Sequence, residues 1–251
     1  MSELHPATSG FAGADVYERG RPSYPAAAVE RIVSALDLRP GRTVLDLAAG
    51  TGKLTRLLVP SGANVIAVEP VREMRQELER RVRGVVALAG TAERMPLTDR
   101  YVDAVTVGQA FHWFRRDEAL HEIHRVLRTG GGVALIWNAR DERHPVQAAL
   151  SEVIDPLEGD TPRRKQQPWR SVLADSGLFE RCERVLFEHE QVVDEQGLVD
   201  RIVSISFIAA APLPVRDEVA ERVRAIARGS EQPIRLPYMT ELYLGYAASG
   251  L

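Results

Sequence analysis

The first half of the chain alternates between short apolar runs and segments whose apolar residues recur with helical spacing. Four apolar runs are Thr43–Leu47, 64–69, 101–108 and 133–137. Residues 43 to 47 are β-branched or aliphatic around Asp46, which is typical of a buried parallel strand. Alternation of strands and helices up to about Asn138 predicts a doubly wound α/β fold, in which a mostly parallel sheet carries helices on both faces.

A helical cap is predicted before the first strand. Residues 1 to about 14 are small and polar, and Pro25 then occupies an allowed first position of a helix. Apolar side chains follow at helical spacing until Pro40 and Gly41 end the segment. We therefore expect one domain of 251 residues, with an N-terminal cap at 1–40, a core at 41–140 and a C-terminal part at 141–251.

The second half changes in character. Residues 155–168 contain prolines, Gly159 and the basic run Arg163, Arg164 and Lys165, which indicates an exposed connection. Beyond it the pattern predicts strands at 181–193 and 234–244 and helices at 195–210 and 215–228. No internal repeat is evident.

The composition favours an ordinary cytoplasmic protein. The net charge of -3 argues against general attraction to nucleic acid or to anionic membranes. Cys182 is the only cysteine, which excludes an intramolecular disulfide, and we expect it to be a small buried residue on a late strand. The first 30 residues lack the apolar core of a signal peptide. The best apolar stretch, 205–215, is shorter than a membrane span and contains two prolines. The sequence leaves the oligomeric state open.

The turn after the first predicted strand indicates a cofactor pocket of the nucleotide type. Gly50 and Gly52 permit a sharp bend and close approach of a ligand to the backbone. A helix predicted at 53–59 then points its N-terminus at the bound molecule. The central part of the chain, 41–140, is therefore expected to be the cofactor-binding core.

Two cofactor classes use such a turn. A dinucleotide fingerprint requires glycine three residues after Gly52, where this chain has Thr55. Asp46 also favours a ligand with a cationic amino-acid moiety over a pyrophosphate, which a carboxylate would repel. S-adenosyl-L-methionine meets that requirement, and a nicotinamide cofactor remains the less favoured alternative.

Four further segments resemble, in order and spacing, the class I S-adenosylmethionine-dependent methyltransferases. They are the strand 64–70 ending at Glu69 and Pro70, the loop 90–97, the strand and loop 101–114, and the helix, glycine turn and strand of 121–137. The resemblance covers residues 11 to 140 strongly and the remainder loosely. It implies a seven-stranded Rossmann-like sheet whose last strands are an antiparallel addition at one edge, with C-terminal helices covering the substrate side.

Within that family, residues 17–25 and 109–114 are similar to the small-molecule branch that includes trans-aconitate methyltransferase-like proteins. Two positions depart from the common pattern. Many members have glycine at the position of Ala48, and many carry aspartate at the position of Thr91. The first departure affects the position of the cofactor's methionine end. The second affects the contact to the adenine amino group.

The resemblance implies a role for each residue around the turn. Glu69 would accept hydrogen bonds from both ribose hydroxyls, and Asp46 would orient the amino-acid end through the turn's amides or a water. Met74 would pack against adenine, with packing in the core as the alternative, and Ala92 would present its backbone amide to the adenine edge. Glu93 would be a neighbouring surface or helix-capping group. The expected cofactor-binding residues are Tyr17, Arg21, Asp46, Ala48, Gly50, Gly52, Glu69, Pro70, Met74, Thr91, Ala92, Glu93 and Gln109.

Substrate residues are expected in the cap and in the loop after the fourth strand. Phe111, His112 and Trp113 are costly to expose unless they line a pocket, and Tyr24 is a candidate in the cap. His112 is the candidate general base, and a hydrogen-bonded structural histidine is the alternative. Tyr17 and Arg21 would close over the cofactor's carboxylate or an acidic substrate, or would simply pack. The His121 and His124 pair fits an ordinary helix surface, so no metal site is expected.

The expected function is methyl transfer from S-adenosyl-L-methionine to a small molecule. A carboxylate acceptor would need no base, whereas a phenol or an amine would favour His112 as one. The trans-aconitate-like resemblance and the arginines of the cap favour a small acid. The alternatives are methylation of RNA or protein, a nicotinamide-dependent oxidoreductase, and a ligand sensor without activity. Neither nucleic acid nor a membrane is an expected partner.

Overall fold

The computed structural model describes residues 14–162 and 171–248. The chain divides into two compact units. The sheet unit comprises Tyr24–Trp137, Pro162–Phe187 and Thr240–Leu251, and the helical unit comprises Met1–Ser23, Asn138–Thr161 and Glu188–Met239. The predicted organisation as one domain stays a prediction, and the basic run Arg163 to Lys165 lies outside the described residues.

One seven-stranded sheet forms in the order β3-β2-β1-β4-β5-β7-β6. Its strands are β1 (Thr43–Leu47), β2 (Asn64–Val68), β3 (Val86–Leu88), β4 (Val102–Gly108), β5 (Leu127–Arg140), β6 (Phe179–Val193) and β7 (Ile234–Ala247). The neighbours from β3 to β5 pair in parallel. This confirms the predicted α/β class with a mostly parallel, seven-stranded sheet.

The strand β7 runs against β5 within the sheet unit. The rings of Trp137 and Tyr243 pack edge to face with centroids 5.8 Å apart. Farther back along β5, a Cβ atom at Gly132 would lie 3.3 Å from ring atoms of Tyr246. Residue numbers therefore rise along β7 as they fall along β5, so the sheet is mixed.

Helices of the sheet unit lie on both faces of the sheet. The helices of the described chain are α1 (Ala14–Gly20), α2 (Ala26–Ala35), α3 (Thr55–Leu58), α4 (Arg72–Arg81), α5 (Arg116–Val126), α6 (Pro145–Ile154), α7 (Glu195–Val203), α8 (Ser206–Ala209) and α9 (Leu213–Arg228). Val44 packs in a core with Ile32 of α2, whereas the next residue, Leu45, packs in a second core with Ile123 of α5. Because successive side chains of a strand point to opposite faces, α2 and α5 lie on opposite sides of β1.

Three predicted boundaries were wrong. The helix predicted at 53–59 is shorter, because Gly52 has a φ of 84° and the helix starts only at Thr55. The helix predicted at 195–210 is broken, with α7 ending at Val203 and α8 beginning at Ser206. The glycines 130–132, predicted as a turn, lie inside β5. There a Cβ at Gly131 would lie 2.8 Å from the carbonyl oxygen of Asp103, so these glycines allow close strand packing.

Cys182 corrects a further expectation, because it is exposed on β6 rather than buried. Its partial burial still raises the pKa of the thiol. Within the described ranges, no helix combines the length and the apolar character that crossing a membrane requires.

Candidate cofactor and substrate site

The candidate site lies where the strand order of the sheet reverses. The chain proceeds from β1 to β2 and β3 on one side, and continues through β4 and β5 on the other. Open parallel sheets bind ligands in the crevice at the carboxyl ends of the strands at such a switch point. The turn after β1, Glu69 after β2 and Gln109 after β4 all lie at this edge of the sheet unit.

The turn after β1 has three residues in the left-handed region. The φ angles are 54° at Ala48, 58° at Gly50 and 84° at Gly52. A Cβ atom at Gly50 would meet nothing within 4 Å, whereas one at Gly52 would lie 2.9 Å from Val82 Cγ2 and 3.0 Å from Leu78 Cγ. Gly52 is therefore required for packing against α4, and the backbone at Gly50 faces open space that a ligand can approach.

Ala48 is the one non-glycine residue of this turn with a positive φ. A left-handed conformation costs a residue with a Cβ atom about 1 kcal/mol relative to glycine. We expect Ala48→Gly to raise the free energy of unfolding by about 1 kcal/mol in urea titrations. The matched control is Ala27→Gly on the exposed face of α2, which should lower it by about 0.5 to 1 kcal/mol. A loss of stability in both variants would contradict the strain at Ala48.

Glu69 is the best-connected polar group of the site. Its carboxylate accepts hydrogen bonds from the Gly50 N–H at 2.9 Å and from the Val71 N–H at 2.8 Å. The residue is 5% exposed, and burial raises the pKa of its carboxyl to about 7 against the effect of these bonds. The side chain therefore ties the end of β2 to the glycine turn and presents a poorly solvated acceptor there.

Asp46 is a second buried carboxylate at this edge. It accepts hydrogen bonds from the Thr55 hydroxyl at 2.6 Å and from the Thr106 hydroxyl at 3.0 Å. Burial raises the pKa of Asp46 to about 6, although both hydroxyls lower it. Thr55, which stands where a dinucleotide fingerprint would have glycine, thus acts as a hydrogen-bond donor at the start of α3. Asp46 joins β1, β4 and α3 around the turn.

The residues expected around adenine are mostly buried. Met74 near the start of α4 is 2% exposed, and Ala92 is 4% exposed in the core that includes α5. Thr91 exchanges backbone hydrogen bonds with Arg94, which closes a tight turn. The adenine contacts assigned to these residues stay predictions.

Glu93 and Pro70 have local roles in this structure. Glu93 accepts a hydrogen bond from the backbone N–H of Arg115 at 2.9 Å, just before α5 begins. This matches the helix-capping alternative expected for Glu93. Pro70 follows Glu69 directly and precedes α4. Contact of either residue with the cofactor stays a prediction.

The carboxyl end of β4 brings Gln109 and Tyr24 to the same edge. Gln109 has a φ of 58°, and its backbone N–H donates to the Ile136 carbonyl at 2.9 Å. A Cβ at Gly108 would lie 2.6 Å from the Tyr24 hydroxyl, so glycine at this position admits the phenol. Tyr24, expected to bind substrate, is thus placed beside the end of β4.

The aromatic segment after β4 is only partly buried. Phe111 is 1% exposed and packs edge to face on Phe114 with centroids 5.3 Å apart. The rings of His112 and Trp113 lie 5.4 Å apart and are half-buried. An open depression of about 490 Å3 is lined by Phe111, His112, Phe114 and residues 115–118. Phe111 and His112 therefore line a concave surface, Trp113 does not, and contact of these residues with a substrate stays a prediction.

Trp137 determines how His112 can act. The indole Nε1 of this fully buried residue donates to Nδ1 of His112 in a long hydrogen bond of 3.4 Å. Because an indole N–H can only donate, Nδ1 must accept, and the proton of the neutral imidazole is then on Nε2. This arrangement favours His112 as a hydrogen-bond donor through Nε2, and its role as a general base stays a prediction. Sequence reasoning missed Trp137, whose only signal was an aromatic residue ending an apolar strand next to β4.

Arg21 belongs to the helical unit, where its Nη2 donates to the Ser204 carbonyl at 3.0 Å. The side chain of Tyr17 lies outside the described residues.

On α5, Nδ1 of His121 lies 2.7 Å from the Asp117 carbonyl oxygen, and the His124 ring packs on Phe179. Both histidines thus have partners other than each other.

Similar proteins of known family identify the class of enzyme to which this fold belongs. Residues 45–135 match the family described as Methyltransferase domain. An uncharacterized methyltransferase of Mycobacterium bovis is 40% identical over 229 residues, which cover 89% of each chain. A methyltransferase-like protein of Schizosaccharomyces pombe is 32% identical over 213 residues, covering 84% of this chain and 83% of its own length.

Solved structures show the same fold. An S-adenosylmethionine-dependent methyltransferase from Aquifex aeolicus aligns with a TM-score of 0.55 at 17% identity, covering 98% of this chain and 100% of its own. A geranyl diphosphate methyltransferase in complex with S-adenosylmethionine aligns with a TM-score of 0.52 at 15% identity. The alignment covers 89% of this chain and 85% of that one. The chain belongs to the methyltransferase family, and it is an S-adenosylmethionine-dependent enzyme. The narrower similarity to trans-aconitate methyltransferase-like proteins stays a prediction.

Proposed function

We propose that this enzyme methylates a carboxylate of a small molecule, with S-adenosyl-L-methionine bound between the turn at 48–52 and Glu69. The observation that supports the cofactor site is the Glu69 carboxylate beside Gly50, whose backbone faces open space. A carboxylate next to an accessible turn fits a ribose with two hydroxyl donors.

The two buried carboxylates would divide the work of binding. Glu69 would accept hydrogen bonds from the ribose hydroxyls, which are charge-assisted when the carboxyl is ionised. Asp46 would act through Thr55 and Thr106, to which it is bonded, by holding the turn in place. Its negative charge would also favour the cationic end of the cofactor. Bound S-adenosyl-L-methionine supplies a methyl group already activated by its sulfonium.

A carboxylate acceptor agrees with the state of His112. A carboxylate oxygen forms the new O–C bond with its own lone pair while the C–S bond breaks and its electron pair stays on sulfur, so no proton has to be removed. A dry site favours this step because opposite charges cancel in the transition state. The Nε2–H of His112, set by Trp137, would donate a hydrogen bond that orients the acid.

The size of the concave surface supports a small substrate. The depression of about 490 Å3 beside Phe111 and His112 lies within the usual range of small-molecule sites. It is lined by Phe111, His112 and Phe114 and by the charged residues 115–118. The net charge of -3 does not favour RNA.

Two variants of His112 separate a donor from a base. We expect His112→Gln, which keeps an N–H donor, to retain the rate on an acid within about tenfold, and His112→Ala to lose about 100-fold. The rates are measured as kcat at saturating substrate. A base would be lost in both variants, so equal large losses would contradict the donor role.

Isotopically labelled S-adenosyl-L-methionine tests the proposal as a whole. The enzyme is incubated with panels of carboxylic acids, phenols and amines and with RNA, and products are separated by mass spectrometry. We expect the isotope label to appear in methyl esters. Hydrolysis of these esters in mild alkali should release the label as methanol. Label only in phenols, amines or RNA would overturn the carboxylate assignment.

A further inference from the structure

Arg201 is a buried arginine on α7 of the helical unit. The residue is 7% exposed, and its Nε donates to the Tyr238 hydroxyl of β7 at 3.0 Å. The guanidinium carbon also lies 5.9 Å from the centre of that ring. Side chains of this type are almost never buried to this extent unless they are paired.

The charge of Arg201 has no counter-charge among the described residues. Its Nη1 is buried and has no hydrogen-bond partner there, and the guanidinium forms no ion pair within the same ranges. The neighbouring Asp200 is committed elsewhere, because its two oxygens accept from Arg19 at 2.9 Å and from Gln196 at 2.8 Å. A buried cation without a partner is costly, so an anion that fills the position would be bound favourably.

The guanidinium is held from its Nε side by a chain of hydrogen bonds. The Tyr238 hydroxyl lies 3.3 Å from the Gln191 amide oxygen, and the Gln191 amide nitrogen donates to the Gly20 carbonyl at 3.0 Å. These contacts fix the orientation of the fork without using Nη1. Such preorganisation lowers the entropic cost of binding a ligand.

A second positive charge is placed near this position by the sheet. The Asp141 N–H donates to the Pro237 carbonyl at 3.2 Å, which makes Arg140 of β5 a backbone neighbour of Tyr238. The Arg140 side chain is 11% exposed, and its ion pairs with Glu142 and Asp155 are long, at 3.5 and 3.9 Å. Arg140 is therefore a second cationic side chain beside Tyr238, and it is itself paired with two carboxylates.

We propose that Arg201 is the centre of a carboxylate-binding site in the helical unit. A planar carboxylate matches the planar fork of a guanidinium, and the low exposure of Arg201 selects a small anion that can be desolvated. This proposal does not rest on the proposed function, because it does not depend on which acid is methylated.

The test compares the full-length enzyme with Arg201→Met, Arg201→Lys and the matched control Arg222→Met, which removes an exposed arginine of α9. Acetate, succinate and citrate are the probes, with chloride at equal ionic strength as the reference. Binding is measured by calorimetry and by the shift in Tm. We expect at least one carboxylate to stabilise the wild type more than chloride does.

In Arg201→Met the dissociation constant of that carboxylate should rise about 30-fold or more. This factor corresponds to about 2 kcal/mol. Arg222→Met should match the wild type, and Arg201→Lys should lie between. Without carboxylate, the Tm of Arg201→Met should equal or exceed that of the wild type, because an unpaired buried charge is removed. A lower Tm would identify Arg201 as a structural residue and overturn the proposal.

Five further outcomes are decisive. A wild type that responds to no carboxylate more than to chloride, or an Arg201→Met variant that binds as tightly as the wild type, would overturn the site. A variant that loses S-adenosyl-L-methionine instead would assign Arg201 to the cofactor and also overturn it. Methylation of the bound acid would identify the ligand as substrate, and binding without methylation as an effector, and both support the site. Because binding is measured without methyl transfer, failure of the proposed function leaves this test intact.

Discussion

Replacing Glu69 by glutamine should weaken the binding of S-adenosyl-L-methionine by about 100-fold or more. The glutamine amide would turn an N–H donor toward either Gly50 or Val71, whose N–H groups both donate to the carboxylate now. It would also remove the negative charge that strengthens the bonds expected from the ribose hydroxyls. Calorimetric titration of the variant with the cofactor measures the loss.

The pH dependence of this affinity provides a second readout. Burial raises the pKa of Glu69 to about 7, and hydroxyl donors of the ribose would favour the ionised form. Affinity in the wild type should therefore fall by up to about tenfold per pH unit below pH 7, and this dependence should vanish in Glu69→Gln. The control is Glu73→Gln on the exposed face of α4. Equal affinity in all three proteins would reject the pocket.

Replacing Asp46 by asparagine should stabilise the fold at neutral pH and weaken the binding of the cofactor. The folded pKa of Asp46 is about 6, above the ordinary 3.8. The stability contributed by this group is therefore fully present below pH 3.8 and is lost as the pH rises through about 6. Raising the pKa from 3.8 to about 6 corresponds to about 3 kcal/mol, which the uncharged variant would retain.

Asparagine suits the position because the hydroxyls of Thr55 and Thr106 can accept from an amide as well as donate to it. Urea titrations from pH 4 to pH 8 should show the free energy of unfolding of Asp46→Asn rising above that of the wild type with increasing pH. Cofactor affinity should fall about tenfold, because the negative charge near the cationic end is lost. A variant that is less stable than the wild type at pH 8 would contradict the desolvation of Asp46.

Asp103 is the matched control with the opposite sign. Burial alone would raise its pKa, but the Thr43 N–H, Arg128 and Arg42 lower it below the ordinary value. Stability from Asp103 is therefore present above pH 3.8 and lost as the pH falls. Asp103→Asn should lose stability at neutral pH, where Asp46→Asn gains it.

The sequence was sufficient for β1, β2 and the glycine turn after β1. Thr43–Leu47 and 64–69 form parallel neighbours because their continuous apolar character requires burial on both faces. Each ends in a polar group at the same edge, so Asp46 and Glu69 could be placed near one another without coordinates. Helix α3 was predicted too long, because the left-handed backbone at Gly52 delays its start to Thr55.

Contacts between distant side chains could not be read from local pattern. Trp137 lies in an ordinary apolar run, and only the pairing of β4 with β5 brings its indole to His112. Arg201 looks like one charge of an amphipathic helix, and its burial depends on Tyr238, 37 residues later. The exposure of Cys182 likewise follows from its place on the edge strand β6, where residues 180–183 are all exposed. Such facts are set by tertiary packing, which periodicity does not encode.

A crystal structure of the enzyme with S-adenosylhomocysteine is the most direct test of the cofactor site. We expect density along the turn at 48–52, with both ribose hydroxyls within hydrogen-bond distance of the Glu69 carboxylate. Density for the ligand elsewhere, or a ribose turned away from Glu69, would contradict it.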